Sequence, residues 1–237
     1  MNLYFLVEGR QTEARVYPAW LSYLLPHYSR VPSPDAVSKN NYFLVSGEGY
    51  PRLLGTMLDN SIQDITDAGK YSYFVICLDA DEESVAARTG EVLTCIRDSQ
   101  VKIDGGVTPR VIVQNRTIET WCLGNRAMFQ RNPSGERFRS LIQFYDVSLQ
   151  DPESMGVAPG YACHAECHHD YLKEMFRERR LNYSKRDPGP VLQGSYLNQL
   201  ISRVADRDLH LGTFKVLLDL CHNIYDLTAP PSVTPGI

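Results

Sequence analysis

The chain has 237 residues, 43% of them hydrophobic and 22% charged, with a formal charge of −4 at pH 7. That is enough to bury a sizeable core, and the balance excludes a disordered chain and whole-surface attraction to nucleic acid, though not a local basic groove. No stretch approaches the roughly 20 apolar residues of a spanning helix, and six scattered cysteines fit a reducing cytoplasm better than a disulfide framework.

In chain order, Asn2 to Val7 (NLYFLV) reads as a strand that stops at Glu8 and Gly9. This opening lacks the basic start and small-residue cleavage site of a signal peptide. Thr12 and Glu13 look like a helix N-cap and its first-turn acid, after which Val16, Trp20, Leu21, Leu24 and Leu25 recur at helical spacing despite Pro18. Residues Ser29 to Lys39 form a Pro, Ser and Asp loop. A second strand over Tyr42 to Val45 leads through a turn into a helix from Pro51 to Ala68, striped by Leu53, Leu54, Met57, Leu58, Ile62 and Ile65. The third strand, Tyr73 to Leu78, stops at Asp79, Asp81, Glu82 and Glu83. A helix from Glu82 to Ser99 follows, with Val85, Val92, Leu93 and Ile96 facing inward. Pro109 to Gln114 is a fourth strand, followed by Arg116, Glu119 and a helix around Trp121 to Phe129, with Trp121 in the core. Residues 132–159 are loop-rich with a short strand at Ile142 to Val147, and helices are expected over Ala162 to Arg180, Leu192 to Val204 and Leu211 to Tyr225.

Four strands alternating with helices predict an α/β, Rossmann-like fold: a mainly parallel four-stranded sheet with helices on both faces, plus a mostly helical C-terminal extension. The division is a core over residues 1–131, the extension over 132–227 and a frayed tail over 228–237. Parallel strands place their carboxyl ends on one edge, so Glu8, Asp79, Asp81 and Glu119 can meet there. Clustered carboxylates stay ionised together only beside a cation or a basic partner. Mg²⁺, with Mn²⁺ able to replace it, suits such oxygen ligands and keeps waters that can attack a phosphate. The alternative is a helix N-terminus dressed with acids.

Two further features invite a chemical and a structural reading. Cys163 with Cys167, and His164 with His168, are i and i+4 pairs that can ligate a transition metal from one helix face. No second, separated ligand pair accompanies them, which favours packing roles. The basic run Arg177, Arg179, Arg180, Lys185 and Arg186 is either a solvated helix face or, folded back over the acidic edge, a phosphate-holding patch.

VEGRQTE at Val7 to Glu13 resembles the Glu-Gly motif of TOPRIM domains, and CLDADEE at Cys77 to Glu83 resembles their Asp-x-Asp motif. RTIETW at Arg116 to Trp121 and YSKRDPGPVL at Tyr183 to Leu192 resemble later motifs of small RloB-like TOPRIM proteins related to the OLD-family nucleases. The resemblance spans Asn2 to Tyr225. It implies a TOPRIM fold, metal-dependent cleavage of DNA or tRNA phosphodiesters, a role in anti-phage defence, and a separate ATPase partner, since the chain has no GxxxxGK[ST] loop. Carried over, Glu8 is general acid or base or metal ligand, Asp79 and Asp81 hold Mg²⁺, Glu119 completes the acidic site, and Lys185 neutralises the scissile phosphate. Arg116, Arg177, Arg179, Arg180, Lys185 and Arg186 are the expected nucleic-acid contacts. A homodimer is left open, and no membrane partner is expected. Two other readings stand beside the nuclease. One is a catalytically weak TOPRIM subunit that binds nucleic acid or regulates the ATPase. The other is a nucleotide-sugar transferase with an Asp-x-Asp metal site, which has no need of an acid at Glu8.

Overall fold

The structure is a computed structural model describing residues 1–206 and 209–229. The buried apolar runs become strands: β1 (Asn2–Val7), β3 (Asn41–Ser46), β4 (Tyr73–Asp79) and β5 (Thr108–Gln114). A fifth, β2 (Ser29–Arg30), lies where the sequence predicts only loop. All five are parallel, in the order β2-β3-β1-β4-β5. The expected four-stranded sheet is therefore corrected to five. β2 has only two exposed residues and pairs with Asn41 and Tyr42, so its pairing, and not its own composition, makes it a strand.

β1 is buried from end to end, and its alternate residues enter two cores. Leu3, Phe5 and Val7 face one, with Val75 and Cys77 of β4, while Tyr4 and Leu6 face the other, with Phe74, Ile76 and Leu78. The second core is closed by α2 (Thr56–Ala68), through Leu58, Ile62 and Ile65, and by α3 (Val85–Asp98), through Val92. The first is closed by α1 (Glu13–Leu24), α4 (Ile118–Cys122), α5 (Glu136–Phe144), α6 (His164–Glu178), α7 (Gly194–Ala205) and α8 (Gly212–Thr228). Trp20 of α1 stacks on Trp121 of α4 at 6.5 Å, and Phe214 of α8 packs against both. The indole N–H groups donate to Val191 O (2.9 Å) and Thr213 Oγ1 (2.8 Å). Helices α5 to α8 thus share one core with a face of the sheet. Side chains of this size contribute about 1.5–3 kcal/mol each on full burial, which fixes α4 and the C-terminal helices against the sheet.

Several expected boundaries move. The chain from Pro51 makes a short 3-10 turn over Arg52–Leu54 before α2 begins at Thr56. α3 starts at Val85 because the Ser84 hydroxyl caps it, accepting from Ala87 N at 3.1 Å. Leu93 faces solvent at 48% exposure and not the core. The helix expected around Trp121–Phe129 is the shorter, earlier α4, and the strand expected over Ile142 to Val147 is replaced by the end of α5, whose Phe138 and Leu141 are buried at helical spacing. Thr228 ends α8, and residues 230–237 of the expected tail lie outside the described residues.

Candidate active site

In an open parallel sheet the chain reverses its direction of growth at one place, and the crevice there is where ligands enter. Here that place lies between β1 and β4, which are adjacent although far apart in sequence. Glu8 follows β1 and Asp79 ends β4, so both flank it. Glu8 Oε2 accepts from Asp79 N at 3.0 Å and Oε1 from Tyr50 N at 3.3 Å. Asp81 adopts the left-handed backbone (φ 52°), rare for a residue with a side chain. It is held there by Asp81 N donating to Arg116 O at 2.9 Å, while Arg116 Nη1 donates to the carbonyls of Asp81 and Glu83, both at 3.1 Å.

Glu8, Asp79 and Asp81 border a cleft of about 450 Å³ together with Glu13, Thr117 and Lys185. Glu13, read from sequence as an ordinary first-turn acid, thus lines the same cleft. Gly9 makes room for it, since a Cβ at Gly9 would stand 2.0 Å from Glu13 Oε2. The Lys185 segment is tied to the cleft by Thr12 Oγ1, which donates to Lys185 O at 3.3 Å. Glu119 lies behind the cleft wall, 2% exposed, where its Oε1 accepts from Tyr183 OH at 3.0 Å and pairs with His169 Nδ1 at 3.3 Å.

The charges interact strongly. Burial, then the charges of Glu13, Glu8, Glu119 and Asp81, raise the Asp79 carboxyl well above the usual range. Burial followed by Glu119 and Glu8 pushes Glu13 up to about 7. Burial and then Asp81 raise Glu8 against the opposing Asp79 and Tyr50 N–H groups, and burial also raises Asp81. Glu119 moves the other way: burial opposes its charge, but the His169 hydrogen bond and Lys185 hold it below its ordinary value. Burial weakens the Lys185 charge, yet Glu119, Asp79, Glu13 and Asp81 together keep it protonated above the usual lysine value. Sequence reading also missed Arg88, 6% exposed, whose charge opposes the upward shifts of Glu8 and Asp81. An arginine among the polar residues of its helix gave no signal, because only the fold brings it beside Glu8 and Asp81.

Of the other expected contacts, Arg116 braces the Asp81 turn, and Arg179 donates to the carbonyls of Ala127, Met128 and Phe129 at 3.0–3.1 Å. Arg177 pairs with Glu174 at 2.5 Å, and Arg180 and Arg186 are exposed. The cysteine and histidine pairs go to packing and hydrogen bonding. His164 Nδ1 meets Glu82 Oε2 at 2.6 Å, His168 Nδ1 meets Thr120 Oγ1 at 2.7 Å, and Cys167 Sγ accepts from Ala158 N at 3.4 Å. The next histidine, His169, is the one that reaches the acidic site.

The cleft's donors are carboxylate oxygens, the ligand type of Mg²⁺ and Mn²⁺. Asp79 is half-buried as a residue, yet its Oδ1 is shut off from solvent with no hydrogen-bond partner. Such an atom suits a cation, because an orphaned buried carboxylate oxygen is costly. Among the described residues, no three Asp, Glu, His or Cys side chains are gathered tightly enough to form a coordination group as they stand. Comparison of the chain with protein-family models, curated proteins and solved structures finds no match.

Proposed function

We infer that this protein is a divalent-metal-dependent nuclease of TOPRIM type that hydrolyses phosphodiester bonds in DNA or tRNA. The observation that carries the reading is the pair Glu8 and Asp79, set by adjacent parallel strands at the sheet's switch point, with Asp79 Oδ1 buried and unpartnered. Glu8, Glu13, Asp79 and Asp81 are the residues that would hold Mg²⁺ or Mn²⁺. A bound ion there supplies a water of lowered pKa and stabilises charge on the phosphoryl oxygens. Lys185, kept protonated by the acids around it, faces the same cleft and complements a phosphate. Glu119 acts from behind the wall. Anchored by Tyr183 and His169, it holds the Lys185 charge without competing for the cleft. A role as an anti-phage effector working with a partner ATPase rests on the motif resemblance alone.

A second reading, a catalytically weak TOPRIM-like subunit that binds nucleic acid or regulates the ATPase, draws on Glu8. Both of its carboxylate oxygens accept from main-chain N–H groups, as a structural strut would. The two part on incubation of the purified protein with plasmid, single-stranded DNA and total tRNA in Mg²⁺, Mn²⁺ or EDTA, beside Asp79→Asn. Metal-dependent cleavage that the variant loses supports the nuclease. Equal cleavage by both proteins refutes this site, and no cleavage of any substrate favours the subunit.

A further inference from the structure

Lys185 and Ala165 of the acidic cleft also border a second cavity of about 250 Å³, with Arg137, Tyr161, His169 and Asp170 around it. Arg137 and Tyr161 in turn border a third, of about 580 Å³, lined by Leu141, Phe144, Ala158 and Pro159. Their shared lining residues set the three cavities in a row, a path from Lys185 past Arg137 to Phe144. The middle stretch follows one face of α6 from Ala165 to Asp170, roughly 7 Å along the helix.

The chemistry changes along this path. The first cavity carries the carboxylates and Lys185. In the middle one, Asp170 is neutralised by Arg137 and accepts from Tyr161 OH at 2.6 Å, while Glu166 is taken up by Ala162 N at 3.0 Å. The last adds Ser140 and Gln143 to its apolar lining and carries two aromatic side chains: Phe144, 38% exposed although it ends a helix packed on the core, and Tyr161, with the Arg137 guanidinium 5.8 Å from its ring centre. Aromatic rings beside a guanidinium, at the end of a path that starts at a phosphate-seeking lysine, match an unstacked nucleobase. A paired base offers only its edges, whereas a single strand presents a flat apolar face.

We propose that the Phe144–Tyr161 pocket binds an unpaired base of the strand whose backbone crosses the acidic cleft, so the substrate is single-stranded or locally unpaired nucleic acid. This rests on the nuclease reading for the strand's position but not for its binding. The test is fluorescence anisotropy of labelled dT12, U12 and a 12-base-pair DNA duplex in EDTA, where nothing is cleaved. Phe144→Ala and Tyr161→Ala are expected to weaken binding of a single strand roughly 5- to 150-fold, the range for loss of one base stack. Tyr161→Phe keeps the ring and most of the affinity, and the duplex binds more weakly than the single strand and is indifferent to all three variants. If variants that melt like wild type bind both single strands unchanged, or if the duplex binds as tightly as the single strand, the pocket assignment is overturned. Wild type that binds neither strand overturns it too. Single-strand binding that depends on Phe144, without metal-dependent cleavage, refutes the nuclease and leaves the pocket standing; cleavage indifferent to Phe144 does the reverse.

Discussion

Glu13→Gln isolates the electrostatics of the cleft from any chemistry. In the folded protein this carboxyl titrates near 7, against an ordinary 4.5, because of burial first and the charges of Glu119 and Glu8 second. A folded-state value above the unfolded one means that folding takes up a proton. Stability from this group is therefore greatest below about 4.5, falls as the pH rises to about 7, and stays low above it. The interval between those values corresponds to about 3 kcal/mol against the folded state at pH 8. Glutamine keeps the shape and removes the charge, at the loss of the ~0.3–1 kcal/mol that an acid in a first helical turn gains from the helix dipole. The variant should be more stable than wild type by about 2 kcal/mol at pH 8, or roughly 4–8 °C in Tm for a chain of this size, and indistinguishable from it near pH 4. Urea unfolding followed by circular dichroism at pH 4, 6 and 8 in EDTA measures this. A variant no more stable than wild type at pH 8, or a difference independent of pH, would refute the crowding of acids inferred from the fold.

Gly9→Ala places a methyl against Glu13 Oε2, so the carboxylate must swing out; the fall in stability between pH 4.5 and 7 should flatten in the same urea series. Tyr183→Phe removes a hydrogen bond to buried Glu119 and should cost about 1.5–3 kcal/mol near neutral pH. Glu119 titrates below its ordinary value, so its contribution is present above about 4.5 and lost at lower pH, and the Tyr183→Phe deficit should shrink in melts at pH 3. Arg179→Ala removes the donor to three largely exposed carbonyls and should lower stability by about 0.5–1.5 kcal/mol, read from Tm, whereas Arg186→Ala should change it by less than about 0.5 kcal/mol.

The sheet was legible where burial is written into composition. β1 and β4 are unbroken apolar runs because both faces are covered, and the acids after them mark where burial ends. β2 was not, since two exposed residues form a strand only through the neighbouring backbone. Apolar residues near Ile142 suggested a strand, although Phe138 and Leu141 already carried the helical period that α5 follows. In the site, Glu8, Asp79 and Asp81 were visible as acids ending strands. Glu13 was hidden because an acid in a first helical turn is commonplace, and only the fold shows that Gly9 lets its carboxylate turn back toward the cleft. His169 was hidden within a run of cysteines and histidines whose other members bond to Glu82, Thr120 and Ala158.

The central claim is that the cleft between β1 and β4 takes up a divalent cation through Asp79 and its neighbours. Titration of the protein with Mn²⁺, followed by the loss of the free ion's electron paramagnetic resonance signal, tests it without assuming a substrate. The account predicts saturable binding by wild type, competition by Mg²⁺, and loss of binding in Asp79→Asn with the fold retained. Wild type that takes up no Mn²⁺, or an Asp79→Asn variant that binds it equally well, would contradict the account.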